Sequence, residues 1–192
     1  MNRVELFWLP LGAGETTGVV RASGRLYEAL AATRERRPRR ALYHSALRVV
    51  LDSQEHIIEM APVWSSSEPG RGVAGQGAVG RPCLARWRLF RYEVRCWAGG
   101  VIPDAAYAVD SPVLLRTDPS RTRRLVEAVP DFPRATWGLD ELGAGEMWNS
   151  NSLVSWLLVT SGHAIEDLTP PRSGRAPGWD AGRTVASRGA VL

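Results

Sequence analysis

The sequence predicts an α+β fold in which an antiparallel sheet packs against helices, and three features indicate it. Two strand-like segments, 41–51 and 55–63, are joined by Asp-Ser-Gln, a link with turn chemistry. Residues 84–97 have the same strand character around Leu-Phe-Arg-Tyr-Glu-Val. Residues 149–161 carry leucines and valines at helical spacing, which predicts an apolar face that packs across the sheet.

The N-terminal part is predicted to contain one strand and one helix. Residues 4–10 form an apolar segment that ends at Pro10 and Gly12. Residues 20–36 carry apolar side chains at roughly helical spacing, with arginines near the end, where cations favour a helix C-terminus. Pro38 then stops this helix.

The middle of the chain is less regular. Residues 65–82 are rich in Ser, Gly and Pro, and we expect a loop or an irregular strand there. Residues 118–129 are predicted to form a short helix, because Asp118 is a suitable N-cap and Pro119 favours the first helical position. The last helix, 149–161, has capping residues before it and Gly162 in the C′ position after it.

One domain is predicted, because 192 residues with 44% hydrophobic composition and eight tryptophans supply enough apolar surface for a single core. We expect it to span residues 1–168. Residues 169–192 are rich in Pro, Gly, Arg and Ser, and we expect an extended polar C-terminal tail there. The sequence carries no indication of an oligomeric state.

The basic character of the chain does not point to a nucleic-acid partner. The pI is about 9.7 although the net charge is only +4, because every basic residue is an arginine, which stays charged at any ordinary pH. The arginines of 34–40 and 121–124 form two short clusters typical of a solvated surface. No nucleic-acid-binding motif accompanies them, so we expect no nucleic acid to bind.

The cellular compartment is predicted to be the cytoplasm. Cys83 and Cys96 are too few for a disulfide framework, and the N-terminal apolar segment is short and interrupted by Glu5. No run of about 18 apolar residues occurs, so we expect no membrane span.

The hairpin places one histidine beside one carboxylate. If the turn has two residues, Leu51 faces Gln54 and His44 faces Ala61. Glu59 is then the diagonal neighbour of His44 on the same face, about 7–8 Å away and within side-chain reach. Such a carboxylate fixes the imidazole tautomer in sites of the nucleophile–histidine–acid type. Both residues are also compatible with ordinary half-buried positions in a strand.

No cofactor or metal is expected. The glycine-rich segments match neither the phosphate-binding nor the dinucleotide-binding pattern. The three histidines are His44, His56 and His163. The hairpin register puts His56 on the opposite face from His44, roughly 15 Å away. Without a cysteine cluster, a zinc site is not predicted.

The second chemical feature is the polar segment Trp-Asn-Ser-Asn-Ser over 148–152, at the start of the last helix. A nucleophile there gains from the positive end of the helix dipole, and nearby backbone N–H groups can hold an oxyanion. The same residues are also ordinary helix caps.

The order of these pieces resembles the circularly permuted papain-like (NlpC/P60-type) hydrolases. These include the lecithin–retinol acyltransferase group, the PPPDE-type deubiquitinating peptidases and the bacterial YiiX-type proteins. The similarity covers residues 41–63 and 146–160, where a histidine opens one strand, an acid follows on the next, and a helix begins Asn-X-Asn. The resemblance implies that His44 is the general base, Glu59 the orienting residue and Ser150 the nucleophile, in a permuted papain-like architecture.

One departure from that pattern concerns the nucleophile. Ser150 stands where those families carry cysteine, and a hydroxyl attacks only with concerted proton removal and oxyanion support. We therefore expect either a hydrolase or acyltransferase acting on an amide, thioester or ester carbonyl, or a non-catalytic domain. A peptide, a lipid or an acyl group is the expected ligand, and a non-catalytic domain could also bind a partner protein. Trp148, Asn149 and Asn151 are expected to line the substrate cleft.

Overall fold

The structure is a computed structural model that describes residues 2–13, 19–66 and 68–189. The strands are β1 (Arg3–Pro10), β2 (Tyr43–Leu51), β3 (Gln54–Pro62), β4 (Val73–Ala78), β5 (Arg91–Ala98) and β6 (Val113–Leu115). The helices are α1 (Val19–Arg34), α2 (Pro119–Glu127), α3 (Ser150–Thr160) and α4 (Trp179–Gly189). The strands form an antiparallel sheet in the order β4-β5-β3-β2-β1-β6, which confirms the predicted α+β class.

The central hairpin forms as its turn chemistry predicts. Asp52 and Ser53 make a two-residue turn with φ angles of 49° and 69°. Two positive φ angles give a turn whose twist matches that of the flanking strands. Leu51 pairs with Gln54, which confirms the predicted register at the turn.

The sheet opens between β2 and β3 at the end away from this turn. Their pairing stops at Leu47–Ile58, so the predicted pairing of His44 with Ala61 does not form. Beyond that point β2 stays paired with β1 as far as Tyr43, and β3 stays paired with β5 as far as Pro62. Each strand therefore keeps its hydrogen bonds on the outer side while a gap opens between them.

The two faces of the sheet pack against apolar clusters of different size. One face holds the main core, in which Leu47 and Ile58 pack with Leu153 and Leu157 of α3. The opposite face holds a smaller apolar group, to which the segment after β5 contributes Ile102. Because side chains alternate along a strand, His44 and Glu59 share this second face, as the hairpin pattern predicts.

Helix α3 is closed at both ends by local hydrogen bonds. At its start, the Asn149 side chain accepts from the backbone N–H groups of Asn151 and Ser152, and the Ser152 hydroxyl accepts from the Asn149 N–H. At its end, Gly162 has a φ of 81°. The N–H groups of Gly162 and His163 donate to earlier carbonyls at 2.9 and 2.8 Å, a Schellman-type ending that confirms the predicted C′ glycine.

The described residues 169–189 do not form an extended tail, and that prediction is wrong for them. The segment contains α4, which packs against α3 and buries Trp179, Ala181 and Ala186. The packing is close because Gly182 has no side chain, since a Cβ there would overlap the Ser152 carbonyl and the Ser155 hydroxyl. Small residues produce this contact, and they leave little hydrophobic signal in the sequence.

The middle of the chain agrees with expectation in part. The glycine-rich segment contains an irregular edge strand, Val73–Ala78, with one register shift, which is one of the two predicted forms. The predicted strand 84–97 begins only at Arg91, because short 3₁₀ turns occupy Pro82–Arg86 and Arg88–Phe90. The helix capped by Asp118 is confirmed, since its carboxylate accepts from Ser120 and Arg121 at 2.9 Å. In the part of the chain that the structure describes, every helix is too short or too polar to cross a bilayer.

Candidate functional site

Ser150 is the first residue of α3 and is only 5% exposed. Its hydroxyl makes no hydrogen bond with any described residue, although buried polar groups in folded proteins usually have partners. The positive end of the helix dipole lies at this position, where it favours developing negative charge. Ser150 is therefore a buried hydroxyl whose hydrogen-bonding capacity is unused.

The backbone at the start of α3 leaves one donor free. The first four N–H groups of a helix have no partner inside the helix. Here three of them have side-chain acceptors: Asn151 and Ser152 donate to the Asn149 side-chain oxygen at 2.9 and 3.4 Å, and the Asn149 N–H donates to Ser152 Oγ at 3.1 Å. Within the described ranges the Ser150 N–H has no acceptor, so it can donate to a ligand beside its own hydroxyl.

His44 lies on β2 opposite Leu9 of β1, near the end of β2 where β3 has diverged. Its ring makes no hydrogen bond to another residue of the described chain. Burial lowers the pKa of His44 to about 4, because the cationic form loses its hydration. At neutral pH the ring is uncharged and has a free nitrogen that can accept a proton.

Asn151 connects the helix that carries Ser150 to the strand that carries His44. Its amide nitrogen donates to the Tyr43 carbonyl at 3.0 Å, and its amide oxygen accepts from the Ser45 hydroxyl at 2.9 Å. Tyr43 and Ser45 are the residues on either side of His44. The neighbour of the hydroxyl thus holds both neighbours of the imidazole, which fixes α3 against β2 at this point.

No hydrogen bond joins Glu59 to His44, so the predicted pairing of the two side chains does not form. Glu59 instead lies directly opposite Arg95 of β5 and accepts from its guanidinium at 3.0 Å. Arg95 is 2% exposed and also donates to Glu93 at 3.1 Å. A cross-strand ion pair outcompetes a diagonal neutral contact because a buried guanidinium must be paired.

The opening of the sheet also contributes to this outcome. Since β2 and β3 separate beyond Leu47–Ile58, the diagonal distance expected for a continuous hairpin does not apply to His44 and Glu59. Burial still raises the pKa of Glu59 despite the opposing effect of Arg95. Glu59 lies on the predicted face of the sheet, but its carboxylate is paired with Arg95.

Two cavities meet at Ser150 and His44. The first, which we call the acidic cavity, has a volume of about 550 Å³, and Glu59, Asp104 and Trp97 are among its lining residues. The second, which we call the apolar cavity, has a volume of about 570 Å³ and is walled by apolar side chains such as Leu42, Phe90 and Met147. The residues that line both are Leu11, His44, Pro62, Trp64, Trp137 and Ser150. The hydroxyl and the imidazole thus lie where the two spaces join.

The three predicted cleft residues have different positions. Asn149 and Asn151 line the apolar cavity, although their side chains are occupied by capping and bridging bonds. Trp148 is 1% exposed, stacks on Phe132 at 4.9 Å and lines neither cavity, so its assignment to the cleft is wrong. It is a core residue because its indole N–H donates to a backbone carbonyl at 2.9 Å, which satisfies its polar atom inside the protein.

The walls of the junction come from residues that the sequence did not single out. Trp64 and Trp137 line both cavities, and Arg95 and Asp104 line the acidic cavity. The alternation of Glu93 and Arg95 with buried apolar residues along β5 is the one signal that could have revealed a charged inner face. No pattern in the sequence indicates which strand lies next to it.

The comparisons with known proteins give no family. No protein-family model, curated protein or solved structure matches this chain.

The other two histidines, His56 and His163, line neither cavity. His163 hydrogen-bonds Ser161 at 2.8 Å and Thr117 at 3.0 Å. His56 lies on the far half of β3 and pairs with Val49. Across the described ranges, no three His, Cys, Asp or Glu side chains are grouped so that they could hold a metal ion.

Proposed function

We propose that this protein is a serine variant of the permuted papain-like hydrolases and acyltransferases, acting on an amide, thioester or ester carbonyl. The observation that carries the proposal is the meeting of three unpartnered groups where two cavities join. These groups are the hydroxyl and the backbone N–H of Ser150 and the neutral ring of His44. The Asn-Ser-Asn helix start packed beside a strand that carries histidine supports the papain-like architecture.

The chemistry follows from these groups. Ser150 Oγ attacks the carbonyl carbon while its proton passes to the free nitrogen of His44. The carbonyl oxygen becomes an oxyanion, which accepts from the Ser150 N–H near the positive end of the α3 dipole. Collapse of this intermediate breaks the bond to the leaving group, which takes the proton from His44. Water or an acceptor molecule then releases the acyl group by the same steps in reverse order.

The two cavities indicate how the substrate lies. Each has room for a group of several non-hydrogen atoms, and Ser150 lines both. A carbonyl placed at their junction would have one substituent in each. The site is therefore suited to a substrate with sizeable groups on both sides of the bond that breaks.

A second candidate function is ligand binding without catalysis, and two observations favour it. The low pKa of His44 makes its ring a weak base, since general bases work best with a pKa near the operating pH. Glu59 is bound to Arg95 and cannot stabilise the imidazolium. A carbonyl compound would then bind at the same junction and stay intact.

Hydrolysis of p-nitrophenyl butyrate separates the two functions. The enzyme is expected to release p-nitrophenol with an initial burst close to one equivalent, because acylation of Ser150 precedes deacylation. Ser150→Ala should abolish the burst, and His44→Gln should slow it at least ~100-fold. Ser187→Ala is the matched control, since this exposed hydroxyl lies on α4 and bonds only a carbonyl of its own helix.

The same ester assay also distinguishes a catalytic site from a non-catalytic one. A burst that survives in Ser150→Ala would show that the reactive group is elsewhere and would refute the proposal. No burst in the wild type, together with a burst in Ser150→Cys, would show an intact scaffold that has lost its nucleophile. That result would establish the binding function in place of the hydrolase.

A further inference from the structure

The charged residues that line the junction are concentrated in one of the two cavities. Among the described residues, the acidic cavity is lined by the carboxylates of Glu59, Glu68 and Asp104 and by one guanidinium, that of Arg95. Among the described residues that line the apolar cavity, none is charged. The two ends of a substrate therefore meet different electrostatic surroundings.

The guanidinium of Arg95 is largely occupied by partners within the protein. Its Nε donates to Glu93, one terminal nitrogen donates to Glu59 at 3.0 Å, and the other donates to the Pro62 carbonyl and the Ser65 hydroxyl, both at 3.2 Å. Its charge is also shared, because Glu93 and Glu59 are both within ion-pair distance. Four of its five N–H groups are therefore occupied within the protein, so an anionic group of a substrate would find little free donor capacity on Arg95.

Asp104 differs from Arg95 in that its side chain is unpaired among the described residues. Its carboxylate forms no hydrogen bond or ion pair with any residue in the described ranges, and it is partly buried in the cavity wall. Burial raises the pKa of Asp104, and its charge raises the pKa of Glu59. Among the described residues that line this cavity, three carboxylates accompany one guanidinium, so the cavity has excess negative charge that a cation would neutralise.

The aromatic walls add to this preference. Trp64, Trp97 and Trp137 all line the acidic cavity. A cation near the face of a tryptophan ring is attracted by the quadrupole of the ring, with an energy that grows when water is excluded. Unpaired carboxylates beside indole rings are thus suited to an ammonium or a guanidinium group.

We infer that the acidic cavity binds an organic cation, a primary ammonium or a guanidinium group, on the substrate whose carbonyl lies at Ser150. Ser150 is more than nine-tenths buried, lacks a partner and lines this cavity, which places the reacting carbonyl next to the cation subsite. The inference rests on the proposed function for the position of that carbonyl. The substituent on the other side of the bond is apolar and occupies the apolar cavity.

A pair of isosteric ligands tests the charge preference without requiring turnover. N-acetyl-arginine amide and its neutral isostere N-acetyl-citrulline amide are titrated calorimetrically into full-length Ser150→Ala protein. The arginine compound should bind at least ~10-fold more tightly, as expected for a hydrogen bond to a partly buried carboxylate. Adding Asp104→Asn should reduce this ratio to near one. The substitution breaks no bond to a described residue, so the fold is retained.

The same titration includes a control variant and gives the results that would contradict the inference. Glu127→Gln removes an equal charge from the exposed surface of α2 and should leave the ratio unchanged. Equal binding of the two compounds, no binding of either, or a preference that persists in Asp104→Asn would overturn the inference. A charge preference in a protein that shows no ester burst would retain the cation subsite and refute only the enzyme. A burst without charge preference would do the reverse.

Discussion

His44 and Ser150 are polar residues whose side chains have no partner in the described protein, and this sets them apart from their neighbours. Asn149, Asn151, Ser152 and Ser45 are all held by hydrogen bonds to one another or to backbone carbonyls. The hydrogen bonds of these four neighbours fix the shape of the junction. The two remaining groups are left free for a ligand.

The state of His44 makes a prediction about pH and stability. Its pKa falls from 6.5 unfolded to about 4 folded, so the unfolded chain binds a proton that the folded protein excludes. Stability from this group is complete above the unfolded pKa and is lost as pH falls from about 6.5 towards 4. Between pH 7.5 and 5 we expect a loss of about 2 kcal/mol from His44.

Urea denaturation of wild type and His44→Gln at both pH values measures this contribution. Burial also lowers the pKa of His163 to about 4, so both proteins should lose stability at pH 5. The loss should be about 2 kcal/mol larger in the wild type, which has the extra titrating group. Equal losses in the two proteins would show that His44 is not buried as described.

At the scale of the elements, local signals were sufficient where a single turn or cap determines the structure. The hairpin follows from a two-residue turn, and α3 follows from its cap, its apolar residues and Gly162. The partner of Glu59 could not be predicted, because Arg95 becomes its neighbour only through β3–β5 pairing across 36 residues of sequence. A lone sequence does not specify which distant strand is adjacent.

The packing of α4 on α3 makes a prediction at this scale. A Cβ on Gly182 would overlap the Ser152 carbonyl and the Ser155 hydroxyl, so Gly182→Ala must push the two helices apart. We expect a loss of about 2 kcal/mol from this overpacking. Gly189→Ala is the matched control, because a Cβ at Gly189 would meet nothing within 4 Å. It should be neutral or stabilise slightly.

Chemical denaturation of both variants gives the comparison. Relative to the wild type, we expect a lower denaturation midpoint for Gly182→Ala and an unchanged or higher one for Gly189→Ala. Similar midpoints for both variants would mean that the close contact between α3 and α4 is not formed. The tail would then be loosely attached, as its composition alone suggests.

At the scale of the whole molecule, three distant parts of the chain build one junction. The gap between β2 and β3 provides the space, α3 provides the hydroxyl, and the segment before α4 accepts at the Pro177 carbonyl from Asn149 and Asn151 at 2.8 and 2.9 Å. The pattern of residues predicted the β2–β3 hairpin and the polar start of α3, but not the gap between the two strands. It missed the third because proline, glycine and arginine obscure the packing of small residues.

Covalent labelling tests the central claim most directly. Full-length protein is treated with a fluorophosphonate at pH 8, digested and analysed by mass spectrometry to locate the adduct. We predict a single adduct on Ser150 in the wild type, formed at least ~100-fold more slowly in His44→Gln, because the imidazole removes the hydroxyl proton. An adduct on a different residue, or labelling of Ser150 at the same rate without His44, would contradict the account.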